Sequence, residues 1–129
     1  MDPVDPVAVV KAATAALNAG DVEGALALYD DAVLQRAPDA AGGLGFKVRR
    51  GKAALRRTLE ADSRARVRFR HLRYVASGDV VATEGVNSGL FDGVWVAQPV
   101  AAFYEVRDGK ITSVTVYYDR LALQRALGH

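Results

Sequence analysis

Few side chains in this sequence can carry a proton near neutral pH. The histidines are His71 and His129, and there is no cysteine. That excludes thiol catalysis, disulfides and cysteine-based metal centres, and it leaves a multi-histidine metal site without enough ligands. His71 follows Arg66-Val67-Arg68-Phe69-Arg70 and shares its alternating face with Phe69. An imidazole there is either a general acid or base or a core histidine with its ring nitrogens satisfied. Arg36 sits in a short β-prone run. Pointing inward, its permanent charge would call for a carboxylate, phenolate or enolate; pointing outward, it would pair with Asp39 or another surface acid. If the last strand turns Val114, Val116 and Tyr118 inward, Tyr118 can donate a hydrogen bond to a substrate oxygen. Asn87 is a further polar candidate. Tyr29, Trp95 and Phe103 are either the aromatic wall of a pocket or ordinary core. Asp119 directly precedes a short apolar helical pattern, which suits a helix cap.

These residues lie in a chain of 129 residues, the usual span of one domain, so 1–129 is read as a single domain with no linker. Half the residues are hydrophobic and a quarter charged, values of an ordinary globular protein able to bury a core. No apolar run approaches the ~18 residues of a membrane span. Met1 to Pro6 carries two aspartates and no basic stretch, so no secretory leader is expected. The lack of cysteine fits a reducing cytoplasm, the expected location. Charge is uneven: residues 1–46 have two basic and seven acidic side chains, residues 47–73 eleven and two, and residues 74–129 four and six. The central block reads as a solvated basic face. Phe69 is its one aromatic residue suited to base stacking, and no Walker-type loop occurs, so a nucleic-acid partner is not expected. No motif calls for a metal, nucleotide or flavin, and no cofactor is expected.

The elements that must position these groups follow from periodicity and breakers. Asp5-Pro6 opens a first helix with Val7, Val10, Thr14 and Leu17 on one stripe. Gly20 ends it and Asp21 caps a second helix over roughly 22–30. Residues 32–36 read as a strand, and the glycine-rich stretch 38–50 as a mobile loop able to act as a lid. A third helix covers 51–61, with Ala54, Leu55 and Leu59 facing inward. The alternation through His71 breaks at Leu72 and Tyr74, which predicts a β-bulge near residue 71 or 72. Strands then span 80–88, 94–106 and 111–118, joined by turns around Gly89 to Gly93 and at Asp108-Gly109, and a short helix closes the chain at 121–127. Glu84 and Glu105 are expected on the outer sheet face, opposite Arg66, Arg68 or Arg70. The class is α+β.

Four segments carry a family resemblance: Ala15-Ala16-Leu17-Asn18-Ala19-Gly20-Asp21, Arg50-Gly51-Lys52-Ala53-Ala54-Leu55, Val106-Arg107-Asp108-Gly109-Lys110-Ile111 and Tyr117-Tyr118-Asp119-Arg120-Leu121. In this order and spacing the chain resembles the nuclear transport factor 2-like superfamily, in the branch of SnoaL-like polyketide cyclases and limonene-epoxide-hydrolase-like enzymes. The resemblance implies a cone-shaped, bent antiparallel sheet packed on three helices, a short C-terminal helix, and a deep apolar pocket. It also implies a homodimer through the open sheet face and a hydrophobic small-molecule ligand. The expected function is cyclisation, isomerisation or epoxide opening of a polyketide-, terpenoid- or steroid-like compound; the alternative is a non-catalytic binding protein.

The usual chemistries of that superfamily do not transfer residue by residue. The epoxide-hydrolase triad of two aspartates and an arginine falls at Asn87, Val116 and Gly85, and its water-holding tyrosine and asparagine fall at Leu34 and Arg36. Neither Asn87 nor Val116 can exchange a proton in that role. The ketosteroid-isomerase base falls at Arg36, and its oxyanion donors near Ala13 and Ala101. By the same resemblance, Asp119 stands near the acid–base aspartate of some SnoaL-like cyclases. The expected catalytic residues are therefore His71 and Asp119, with Tyr29, Arg36, Asn87, Trp95, Phe103, Val116 and Tyr118 around the substrate.

Overall fold

A computed structural model of the protein describes residues 4–39 and 45–128. Helix α1, Pro6–Asn18, starts where Asp5 accepts a hydrogen bond from Val7 N at 3.0 Å and Pro6 supplies the first helical φ. It buries Val9, Val10 and Ala13. Gly20, at φ 77°, reverses the chain, and Asp21 caps α2, Val22–Leu26, by accepting from Gly24 N. This helix is shorter than its periodicity predicts, because Tyr29 already belongs to strand β1, Tyr29–Pro38. The stretch expected to be a loop contributes strand β2, Phe46–Arg50, paired antiparallel to β1 with Gln35 opposite Arg49. Its Lys47-Val48-Arg49 alternation was hidden by the glycines before it. The tip of the expected lid, residues 40–44, lies outside the described residues.

Helix α3, Lys52–Arg64, runs three residues past its expected end and buries Leu55 and Leu59. Strand β3, Arg68–Ser77, then opens a meander of long strands: β4, Val80–Phe91, β5, Val94–Arg107, and β6, Lys110–Tyr117. Helix α4, Arg120–Ala126, follows. The sheet order is β2-β1-β6-β5-β4-β3. All neighbours are antiparallel except β1 and β6, which run parallel, so the sheet is mixed where the sequence suggested a purely antiparallel one. The parallel pair arises because β1 precedes the whole meander and receives its last strand edge-on. No helix is long and apolar enough to cross a membrane.

The predicted bulge is present, with the β3–β4 register shifting between His71 and Arg73. It makes room for itself opposite Gly85. A Cβ there would come within 2.8 Å of His71 Cα and closer still to Arg70 O. The shift also changes the outer-face ion pair: Glu84 pairs with Arg73 at 2.7 Å instead of with Arg66, Arg68 or Arg70.

The helices pack on one face of the sheet around Val10, Leu26, Val33, Leu55, Val81 and Ile111, all almost fully buried. Strand β5 has 14 residues and spans about 47 Å, whereas the 13 residues of α1 reach about 20 Å. The helices therefore cover only part of the inner face, and the remainder stands over a hollow. Gly85→Ala should lower stability by about 2 kcal/mol through overpacking at the bulge, seen as a lower urea midpoint at unchanged slope.

Candidate functional site

The hollow is a cavity of about 320 Å³, within the ~300–1,000 Å³ range typical of small-molecule sites. Strand parity decides what faces it. On β5 the even positions Val96, Gln98, Val100 and Tyr104 line it; on β6 and just beyond, Val114, Val116 and Tyr118 do. Strands β1 and β2 add Gln35, Ala37 and Arg49. Helix α3 contributes Leu55, Thr58, Leu59 and Asp62, an i, i+3, i+4, i+7 stripe along one face. Leu17 and Phe69 widen the apolar wall, and Arg120 and Leu123 of α4 contribute from beyond the last strand.

Asp62 is the carboxylic acid among the residues that line this cavity. Burial against the apolar wall pushes its carboxyl up to about 6, and the Arg49 guanidinium pulls in the opposite direction more weakly. Asp62, Arg49 and Thr58 also border a second, more open hollow between α3 and β2, which gives the carboxyl a route to solvent. Tyr118 Oη accepts a hydrogen bond from Arg120 Nη1 at 2.9 Å, leaving the phenolic hydrogen free to donate. Gln35 Oε1 and Arg120 Nε are buried with no hydrogen-bond partner among the described residues. Burial raises the Tyr29 and Tyr104 phenols above their ordinary range, so both stay protonated in the cavity wall.

The structure divides the residues singled out from sequence. Tyr29, Asn87, Val116 and Tyr118 line the cavity. His71 stands one layer behind it, with Nε2 3.2 Å from the Thr14 hydroxyl and its ring edge-on to Tyr74 and Tyr104. Burial lowers its pKa and keeps the imidazole neutral. Asp119 is exposed and caps α4, accepting from Ala122 N at 2.9 Å. Arg36, Trp95 and Phe103 lie on the opposite, outer face of the sheet. Gln35 and Ala37 take the inward positions of β1, and Arg36 reaches Thr115 Oγ1 at 3.4 Å. The odd positions of β5 point away from the cavity, leaving Trp95 62% and Phe103 46% exposed.

Sequence reasoning did not pick out Asp62, Arg49, Gln35, Gln98 or Arg120. A signal for Asp62 was present: the Leu55–Leu59 stripe extended by one helical step reaches residue 62. Ending the helix at residue 61 removed it from view.

The profile of the SnoaL-like domain family matches residues 10–114. Among solved structures, an NTF2-like protein from Burkholderia xenovorans is 30% identical, with 98% of each chain covered and a TM-score of 0.78. A proposed polyketide cyclase from Xanthomonas campestris is 27% identical over 95% of this chain and 96% of that one, with a TM-score of 0.80. TerC, co-crystallised with polyporic acid, is 22% identical over 96% and 98%, with a TM-score of 0.82. No curated protein matches the chain in sequence.

The raised Asp62 carboxyl has a consequence for stability. Its unfolded value is near ~3.9, so the folded state holds a proton that the unfolded state releases between about pH 4 and 6. Stability is complete below that window and falls by about 3 kcal/mol as pH rises through it. Asp62→Asn should melt above the native protein at pH 8 and level with it at pH 4, as read by thermal unfolding across the range.

Proposed function

The chain belongs to the SnoaL-like domain family, and from that premise we propose that it is an enzyme cyclising or isomerising a hydrophobic, polyketide-like small molecule by proton transfer within its cavity. The observation that carries this reading is Asp62, a carboxyl with a pKa of about 6 set in an apolar wall. A base of that strength is mostly ionised at neutral pH yet stronger than an ordinary carboxylate. The likeness to a proposed polyketide cyclase supports the substrate class, as does the polyporic acid bound by a structural neighbour.

In this mechanism the Asp62 carboxylate removes a proton from a carbon next to a substrate carbonyl. The charge moves to the carbonyl oxygen, where the Tyr118 hydroxyl and the Arg120 guanidinium receive it. The enolate carbon then attacks a second carbonyl of the same molecule, closing a ring, and the new alkoxide takes the proton back from Asp62. Reprotonation at a different carbon gives isomerisation instead. The apolar wall holds the chain folded so that the reacting carbons meet. His71 and Asp119 serve as positioning residues: His71 holds Thr14 in the wall, and Asp119 caps the helix that carries Arg120. A predominantly apolar lining, together with Asn87 and Val116 where the epoxide-hydrolase resemblance would place carboxylates, favours a second reading as a carrier of the same ligand class.

Mass spectrometry of ligands retained through purification supplies the substrate for turnover tests. Asp62→Asn should lose about 10²–10⁴-fold in rate while still binding ligand. Asp119→Asn should stay within a few-fold of native, because asparagine caps a helix as well as aspartate does. The native rate should rise with pH through about 6 and then level, since the ionised carboxylate is the active form. Full activity in Asp62→Asn would refute the proton-transfer reading, and a retained ligand that is never converted would establish the carrier.

The outer sheet face supports a homodimer. Phe46, Phe103 and Tyr117 stack edge-to-face there, exposed, with Trp95 on the same face of β5. Paired two-fold faces would bury this apolar surface. Light scattering should give a dimeric mass for the native chain and a monomeric one for Phe103→Asp.

A further inference from the structure

The cavity contains a guanidinium that the fold does not neutralise. Arg120 is partly buried in the first turn of α4 and lines the cavity. Its Nη1 is engaged by a neutral oxygen, Tyr118 Oη, and its Nε is buried without a partner among the described residues. Among the described residues no carboxylate lies within ion-pair distance of it. The neighbouring acid, Asp119, faces the backbone N–H of Ala122. The ionisable groups of opposite sign around the cavity are Arg49, Arg120 and Asp62, and Arg49 already interacts with Asp62. The uncompensated positive charge is therefore at Arg120. A charge withdrawn from water without a counter-charge is costly, and the cost falls when a ligand supplies one.

The geometry points to Arg120, with Tyr118 beside it, as the binding residue for an anionic oxygen (a carboxylate, phenolate or enolate) on an otherwise hydrophobic ligand. This rests on the small-molecule reading above and adds the charge of the ligand to it. The two side chains are two residues apart, and the bond between them fixes the guanidinium while leaving the Tyr118 hydrogen available. An oxyanion there would take one hydrogen bond from a charged donor and one from a neutral donor. Gln35 Oε1, also on the cavity lining and lacking a donor, suits a hydroxyl elsewhere on the same ligand.

Two probes of nearly equal shape test this with the purified full chain: 2-naphthoate and its neutral counterpart 2-naphthamide, titrated calorimetrically at pH 8. The native protein should bind the carboxylate roughly tenfold or more tightly than the amide. Arg120→Gln should bring the two within about threefold of each other, with amide binding retained. Arg120→Lys, which keeps the charge but not the planar fork, should retain a smaller preference. Equal affinities in the native protein, or a preference that survives Arg120→Gln, would overturn the anion assignment and leave the hydrophobic-cavity reading standing. Failure of both probes to bind the native protein would overturn both. The native comparison needs no variant to fold.

Discussion

A strand of fourteen residues cannot be covered end to end by helices of thirteen, and the cavity follows from that mismatch. Each residue of β5 advances more than twice as far as a residue of α1 or α3. Where helices and sheet overlap, Val10, Leu26, Leu55 and Ile111 pack without solvent. Beyond the closest packing the inward side chains of β5 and β6 share the hollow with Leu55, Thr58, Leu59 and Asp62 of α3. Helix α4 partly roofs them with Arg120 and Leu123. The hollow is thus a product of element lengths, and its chemistry depends on which side chains occur along the overhang.

That arrangement explains why the buried carboxyl of Asp62 sits on a helix. Asp62 is one helical step beyond Leu59, on the stripe that docks α3 to the sheet. The docking that buries the two leucines carries the carboxyl into apolar surroundings whatever it costs. Its raised pKa is the measure of that cost: the leucines supply the stability and Asp62 returns part of it when ionised. Proteins often tolerate such losses where the strained group performs the chemistry. Arg49 limits the penalty, being set opposite Gln35 by the β1–β2 register. The short strand missed in the glycine-rich stretch is thus part of what makes Asp62 tolerable.

Much of the fold could be read from local chemistry. The Asp5-Pro6 start, the Gly20-Asp21 junction and the bulge at His71 each rest on one or two residues whose conformational demands dominate, and all three occur. The inward parity of Val114, Val116 and Tyr118 was a condition the sequence left open, and all three line the cavity. Arg36 is turned outward by the parity of β1, where Gln35 and Ala37 point inward, whereas Trp95 and Phe103 were misplaced in orientation for a common reason. A mixed sheet with one apolar outer face gives aromatic and aliphatic residues on both sides, so hydrophobicity alone does not reveal which face is inside. Gln35 and Gln98 face the cavity, whereas Phe103 faces out, the reverse of the usual pattern. Polar residues directed inward along an apolar strand were the more informative signal.

The same inversion bears on how one fold changes its reaction. A side chain at Gly85 would have to displace the β3 backbone that the bulge brings against it, and Val116 offers only hydrocarbon. The strand positions where the epoxide-hydrolase resemblance would put an arginine and a second acid are therefore unfavourable for them on steric and chemical grounds. The charged groups of this cavity come instead from helix α3 (Asp62), the edge strand β2 (Arg49) and the segment after β6 (Arg120). These elements adjoin the cavity without being part of its central strands, so their residues can change without disturbing sheet register. A ligand in the hollow lies between a carboxyl from the helical layer and a phenol–guanidinium pair from the end of the sheet. In the proposed reaction, acid–base chemistry and oxyanion recognition would come from separate elements, each held by its own cap or packing stripe.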